Sequence, residues 1–378
     1  MTEIVLANAN IVLADEIVPG TLVLRDGRIA AIDSGATRAG QDMEGDFLIP
    51  GLVELHTDHL EGHYAPRPKV RWNPVASVLA HDAQVATAGI TTVFDALRVG
   101  MDEDANLTID DMRALADAIE DSVRHDRLRA DHFIHLRCEV SAPDCQQAFE
   151  SFDGDDRVKL CSLMDHAPGQ RQFANIDSYA MYYMGKLKMS EEVFRAFCDK
   201  RIAQSQANSA RHRTAISTAC RARGIVLASH DDATVAHVEE AIEQGIRVAE
   251  FPTTVEAAAA SKQAGLGVLM GAPNVMRGGS HSGNVSARHL AAEGLLDIIS
   301  SDYIPFSLIQ SAFFIGEAVE GISLPQAVAL VSRNPAETVG LADRGVIEPG
   351  RRADLVRVRV DDHVPVVRTV WREGRRVA

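Results

Sequence analysis

The stretch FLIPGLVELHTDHLEGH, Phe47–His63, decides how the chain is read. It is apolar from Phe47 to Leu55, bends early at Pro50-Gly51, and ends in His56, Asp58, His59, Glu61 and His63. A strand apolar along its length and polar only at its C-terminal tip matches the inner wall of a parallel α/β barrel. On an extended backbone His56 and Asp58 point the same way, with Cα atoms about 6–7 Å apart. That spacing suits chelation of one metal ion by an imidazole nitrogen and a carboxylate oxygen. A polar loop after a strand is the plainer alternative, and the remaining chain has to choose between them.

Downstream of this stretch, apolar strands alternate with helical patterns, the rhythm of a parallel barrel. Eight strands are expected: Phe47–His56, Thr91–Leu97, His132–Val140, Val158–His166, Ile225–His230, Arg247–Phe251, Leu266–Gly271 and Leu296–Asp302. Helices are expected at Asp110–Arg124, Ser190–Arg223 and Asp232–Gln244. The second opens on Ser190 with Glu191 and Glu192 in its first turn and closes on Arg221, Arg223 and Gly224, the polarity that helix ends favour. Residues 1–46 instead read as short strands, with Asp26-Gly27 as a hairpin turn. The C-terminal GVIEPGRRADLVRVRV and VPVVRTVWREGRRVA resemble them, with turns at Pro349-Gly350 and Glu373-Gly374. The expected architecture is α/β: a (β/α)8 TIM barrel over residues 50–343, with a small β-sandwich built from residues 1–49 and 344–378.

The strand tips repeat one chemistry. They carry His56 and Asp58, Arg137-Cys138-Glu139, Asp165-His166, His230-Asp231-Asp232 and Ser301-Asp302. Barrel active sites form at the C-terminal ends of the strands, so these groups converge on one axis. One buried histidine is ordinarily a core residue, but five tips of the same kind are a site. Lys159 does not belong to it. Seven residues separate it from His166 on one strand, about 23 Å at the rise of an extended chain.

With these tips read, the chain resembles the amidohydrolase superfamily of metal-dependent barrels. HTDHLEGH, LRCEV, SLMDHAPGQRQF, YYMGK, ASHDD, EFPTT, MGAPNVMRGGSHSGN and SSDYIP, in this order, are similar to one branch of it. That branch is the PhnM family, diphosphatases of the carbon–phosphorus lyase pathway that act on α-D-ribose 1-methylphosphonate 5-triphosphate. The resemblance runs from about Glu3 to Trp371. It implies His56, Asp58, Glu139, His166, His230 and Asp302 as ligands of two divalent ions, with zinc ahead of manganese, iron or magnesium. Asp58 stands where the superfamily has a second histidine, and Glu139 where it commonly has a bridging lysine. The implied reaction hydrolyses a sugar triphosphate to the 5-phosphate and pyrophosphate, with Asp302 taking the proton. The expected rival is a deaminase or cyclic amidase acting on a C–N bond.

A triphosphate needs local positive charge in a chain whose 53 Asp and Glu outweigh 38 Lys and Arg, for a formal charge of −15. Arg67, Lys69, Arg71, Arg98, Arg137, Arg171, Lys186 and Arg277 lie in segments that follow the strands. RGGSHSGN adds small residues able to cradle phosphate oxygens. The residues expected to touch substrate are His63, Arg67, Lys69, Arg137, Arg171, Lys186, Asn274, Arg277 and His281. The overall acidity argues against nucleic-acid or anionic-membrane binding. No apolar run reaches the roughly 20 residues of a membrane span. Five cysteines without a CxxC pair read as reduced thiols, and no signal peptide is visible, so a cytoplasmic enzyme of small-molecule substrates is expected. Homo-oligomers are common for this architecture.

Overall fold

A computed structural model describes residues 3–35, 37–100, 107–171, 190–280 and 283–378. The chain ends build the first sheet. Its strands are β1 (Glu3–Val12), β2 (Ile17–Arg25), β3 (Arg28–Asp33), β4 (Gln41–Asp42) and β5 (Phe47–Pro50). The barrel follows with β6 (Leu52–Thr57), β7 (Ile90–Val99), β8 (Asp131–Glu139), β9 (Val158–Met164), β10 (Val226–His230), β11 (Val248–Glu250), β12 (Gly267–Gly271) and β13 (Ile298–Ser300). The chain then returns to the first sheet as β14 (Leu355–Asp361), β15 (Val364–Arg372) and β16 (Arg375–Arg376).

The expected first strand, Phe47–His56, is divided between the two sheets. β5 pairs parallel with β1 and antiparallel with β14, joining both chain ends into one hydrogen-bonded sheet around Leu6, Leu22, Leu48, Leu355 and Trp371. Gly51 makes the break, because a Cβ there would lie 2.2 Å from Thr91 Oγ1. β6 then starts the barrel. The hairpin residues Asp26 and Gly27 both have positive φ, 49° and 79°, as a two-residue turn between twisted strands requires.

The barrel strands pair in sequence order from β6 to β13. A parallel bridge from Thr57 to Asp302 and a hydrogen bond from Asp302 N to His56 O, 3.1 Å, join its two ends. Glu54 reinforces this seam, accepting from His56 N at 2.6 Å and Ser301 N at 2.5 Å. Val53, Leu55, Phe94, Leu160, Ala228, Val248, Leu269 and Ile298 fill the inside, two from β6 and one each from β7 and β9–β13. Leu97, Leu115, Ile119 and Leu136 belong to the larger core between wall and helices.

The long helix Glu191–Arg223 has the caps its ends call for. Ser190 accepts from Val193 N, and Gly224 closes it at φ 68°. The helix Ile109–Arg124 has a reciprocal cap between Thr108 and Asp111. The third begins at Val235, not Asp232, because Asp231 and Asp232 are drawn into the loop: Asp231 N donates to Glu250 O and Thr253 N to Asp232 O. All five cysteines are buried and unbridged. Among the described residues no helix is long and apolar enough to cross a membrane.

Candidate metal centre

Three imidazoles gather at the C-terminal ends of the barrel strands. The His56 and His230 rings stack with centroids 5.7 Å apart, and His166 meets His230 edge-on at 5.5 Å. Each is held at Nδ1 by a carboxylate: His56 by Glu250 Oε1 at 3.2 Å, His230 by Glu250 Oε2 at 3.1 Å, and His166 by Glu139 Oε2 at 2.6 Å. An ionised carboxylate only accepts, so Nδ1 carries the hydrogen and Nε2 is the nitrogen left for a ligand. This is the arrangement by which carboxylates orient metal-binding histidines. Nε2 of His166 and His230 face Asp231 Oδ2 at 3.6 and 3.5 Å. That oxygen is buried and accepts no hydrogen bond. A buried carboxylate oxygen without a donor is costly, and a divalent ion beside two imidazoles would satisfy it. The donor set therefore fits a metal.

Electrostatics agree. Burial opposes charge on His166, yet Glu139 and Asp231 raise its pKa to about 9, so this position attracts positive charge strongly. Burial lowers His230. Burial raises Asp302 to about 6, helped by the Asp58 carboxylate and opposed by His56 and Arg137. Glu139 would be raised by burial, but His166, Arg98 and Arg201 hold it far below the usual carboxylate range. Backbone strain concentrates here as well. Asp231, Phe251 and Asp302, each just beyond a strand, have φ of 58°, 53° and 55°. Phe251 is a bulky residue in that region, and it packs edge-on against His56 and His230 at 5.0 and 5.3 Å.

Several expected roles change. Asp58 does not continue the strand beside His56. β6 ends at Thr57, and Asp58 (φ −97°, ψ 14°) precedes the short helix His59–Tyr64, so its carboxylate turns to Arg137 Nη1 at 3.2 Å. Glu139 has both oxygens occupied, by His166 Nδ1, His166 N and Ser141 Oγ. Arg171 is buried and paired with Asp232 and Glu240. Asn274 braces its own loop, donating to Val285 O and accepting from Ala287 N. His63 Nε2 is bonded to Gln84 Oε1 at 3.2 Å. Arg67, Lys69 and Arg277 are exposed. Lys186 and His281 lie outside the described residues. Lys159 is exposed on β9, as its register requires.

Glu250, His135 and Ser162 are buried neighbours of these imidazoles that the strand-tip reading passed over. Glu250 accepts from Ser162 Oγ at 2.6 Å, and His135, buried within β8, contacts both Ser162 and Glu250. Their signal was present as a lone acid in VAEF and a lone imidazole in FIHLR, polar residues set inside otherwise apolar strands.

Comparison with known proteins agrees with this architecture. The family model described as "Amidohydrolase family" matches residues 218–378. The solved 5-methylcytosine deaminase from Klebsiella pneumoniae has TM-score 0.66 at 15% identity, covering 99% of this chain and 98% of that one. N-acetylglucosamine-6-phosphate deacetylase from Pasteurella multocida has TM-score 0.62 at 14% identity, covering 99% of each. An adenine deaminase of Nitratidesulfovibrio vulgaris is 25% identical over all of this chain but only 58% of its own length. The alpha-D-ribose 1-methylphosphonate 5-triphosphate diphosphatase of Escherichia coli (strain K12) is 46% identical, over 99% of this chain and 100% of that one. Likeness at that level, running end to end through both chains, identifies the protein as a member of the α-D-ribose 1-methylphosphonate 5-triphosphate diphosphatases, a branch of the metal-dependent amidohydrolases.

Proposed function

We propose that this protein hydrolyses α-D-ribose 1-methylphosphonate 5-triphosphate to the 5-phosphate and pyrophosphate, in the cytoplasm, as a step of phosphonate use. The observation that carries this reading is the 46% identity to the Escherichia coli diphosphatase over both whole chains. The deaminase alternative has weaker support, at 25% identity to proteins much longer than this one.

His56, His166, His230, Asp231 and Asp302 would hold two divalent ions, zinc first among the candidates, with Glu139 and Glu250 fixing the imidazoles and Asp58 close by. Bound there, the ions would supply Lewis-acid activation of water and neutralise charge on the phosphoryl oxygens. Asp302, at the tip of the last barrel strand beside His56, takes the proton of the attacking water. Arg137, held by Asp58, lies beside the reacting centre. Arg67, Lys69 and Arg277 have no ion-pair partner among the described residues and are available to the triphosphate.

The test is divalent metal content of the purified protein alongside pyrophosphate release from the ribose triphosphate. Metal-dependent release that His230→Ala abolishes supports the reading. A metal-loaded protein that releases no pyrophosphate overturns it in favour of the deaminase or amidase alternative.

A further inference from the structure

A second group of imidazoles stands beside the barrel mouth, apart from those at the strand tips. His59 and His63 lie one turn apart on the helix His59–Tyr64, and His81 faces them from the helix Pro74–Thr87. The His59 and His63 ring centroids are 4.9 Å apart, His59 stacks on His81 at 5.9 Å, and His63 lies 6.1 Å from His81. One ring nitrogen from each residue lies within 4.8 Å of the other two.

The hydrogen bonds say which nitrogens are left over. His81 is completely buried, and its Nε2 meets Asp95 Oδ1 at 2.8 Å. The carboxylate accepts, so Nε2 carries the hydrogen and Nδ1 keeps its lone pair. That Nδ1 is buried with no hydrogen-bond partner, and so is Nδ1 of His59. Gln84 spans the other side of the group: its carbonyl accepts from His63 Nε2 at 3.2 Å, and its amide nitrogen is 3.5 Å from His59 Nε2. Nothing about ordinary packing explains three crowded imidazoles with two buried nitrogens unsatisfied. An ion-pair explanation fails too, since Asp95 already serves His81 from the opposite edge of its ring.

We infer that His59, His63 and His81 form a separate site for one divalent transition-metal ion, with Asp95 orienting His81 and the fourth ligand position open toward solvent. An all-imidazole donor set selects zinc, copper or nickel over magnesium or calcium, whose ligands are oxygens. The ion would tie the helix that begins one residue after Asp58 to the helix Pro74–Thr87. It would therefore steady the segment leading to Arg67 and Lys69. This inference does not depend on the chemistry proposed for the strand-tip centre.

The experiment strips the full-length protein with chelator and titrates it with zinc against a chromophoric competitor. It compares the wild type with His63→Gln, His59→Gln and the double variant His166→Ala/His230→Ala. The expected result is one equivalent fewer for either His→Gln variant than for the wild type. One equivalent should also survive in the double variant and disappear when His63→Gln is added to it. Zinc should raise the melting temperature of the double variant, and X-ray absorption of its remaining ion should show three imidazoles, a readout that needs no His→Gln variant to fold. Equal zinc counts in the wild type and both folded His→Gln variants overturn the site. So does a double variant that binds no zinc, a result that leaves the diphosphatase reading intact.

Discussion

Two buried clusters of imidazoles and carboxylates lie on opposite faces of the same barrel wall, and they are built to different ends. On the inner face, at the strand tips, His166 and His230 flank an Asp231 oxygen that accepts nothing. On the outer face, between β7, β8 and the helix Pro74–Thr87, His132 uses both ring nitrogens, on Asp95 at 2.7 Å and Asp82 at 3.4 Å. Asp82 in turn accepts from Arg129 N, Ala130 N and Arg129 Nη1. Around His132 and Asp82 the outer cluster is closed by its own partners, as a buried network must be where it supports the fold. The inner one keeps a buried carboxylate oxygen, Asp231 Oδ2, without a hydrogen-bond donor. His135 and His132 make the contrast within one strand: three residues apart on β8, they point to opposite faces, one into the site and one into the scaffold. Residue type alone does not separate function from support; the state of each donor and acceptor does.

The comparison can be broken by exchanging the two outcomes. The largest effect is expected at Asp302. Asp302→Asn removes the proton acceptor and should lower kcat by about 10²–10⁴-fold. The melting temperature of the metal-free protein should stay at or above that of the metal-free wild type, since a carboxyl whose pKa is raised by burial is not a stabilising charge. A variant with nearly full turnover would remove Asp302 from the chemistry. Asp82→Ala should do the reverse. It strands His132 and Arg129 and should cost about 3–5 kcal/mol of stability, with turnover per folded molecule unchanged. Chemical denaturation and active-site titration measure the two separately, and a loss of turnover without a loss of stability would contradict the division drawn here.

Smaller effects sharpen the boundary. Glu250→Gln weakens the hold on His56 and His230 and should reduce metal affinity or activity by about 10–100-fold. An unchanged affinity would mean that those rings are held by packing alone. The smallest effect is in pH dependence. Burial opposes charge on His132, but Asp95 and Asp82 raise it to about 10. A raised pKa contributes stability that is whole below the unfolded value near 6.5 and is lost as pH rises through about 10. Burial would raise Asp95, but His132 and His81 lower it to about 2, so its share is whole above about 3.8 and lost as pH falls through about 2. The melting temperature should therefore decline between about pH 6.5 and 10, and His132→Asn should flatten that decline.

What was legible in the sequence was whatever depends on local pattern. The eight apolar runs become the eight barrel strands, because a parallel strand buried on both faces has to be apolar nearly throughout. Ser190 and Gly224 bound a 33-residue helix for reasons that act within one turn of each end. His56, His166, His230 and Asp302 were legible as strand tips, since barrel geometry brings every tip to one mouth. Three things needed the tertiary structure. The single run from Phe47 to Leu55 divides between two sheets, because Gly51 packs against Thr91 from a different strand. Glu250 and His135 matter because strands distant in sequence carry them to His56, which no spacing along the chain encodes. Asp58 and Glu139 were visible as acids, but whether an acid meets an ion, an arginine or an imidazole is decided by which donor arrives within 3 Å or so. That is a property of the assembled barrel. The sequence by itself determined which residues could do chemistry and at which end of the barrel; only the folded packing decided how each one's hydrogen-bonding capacity is used.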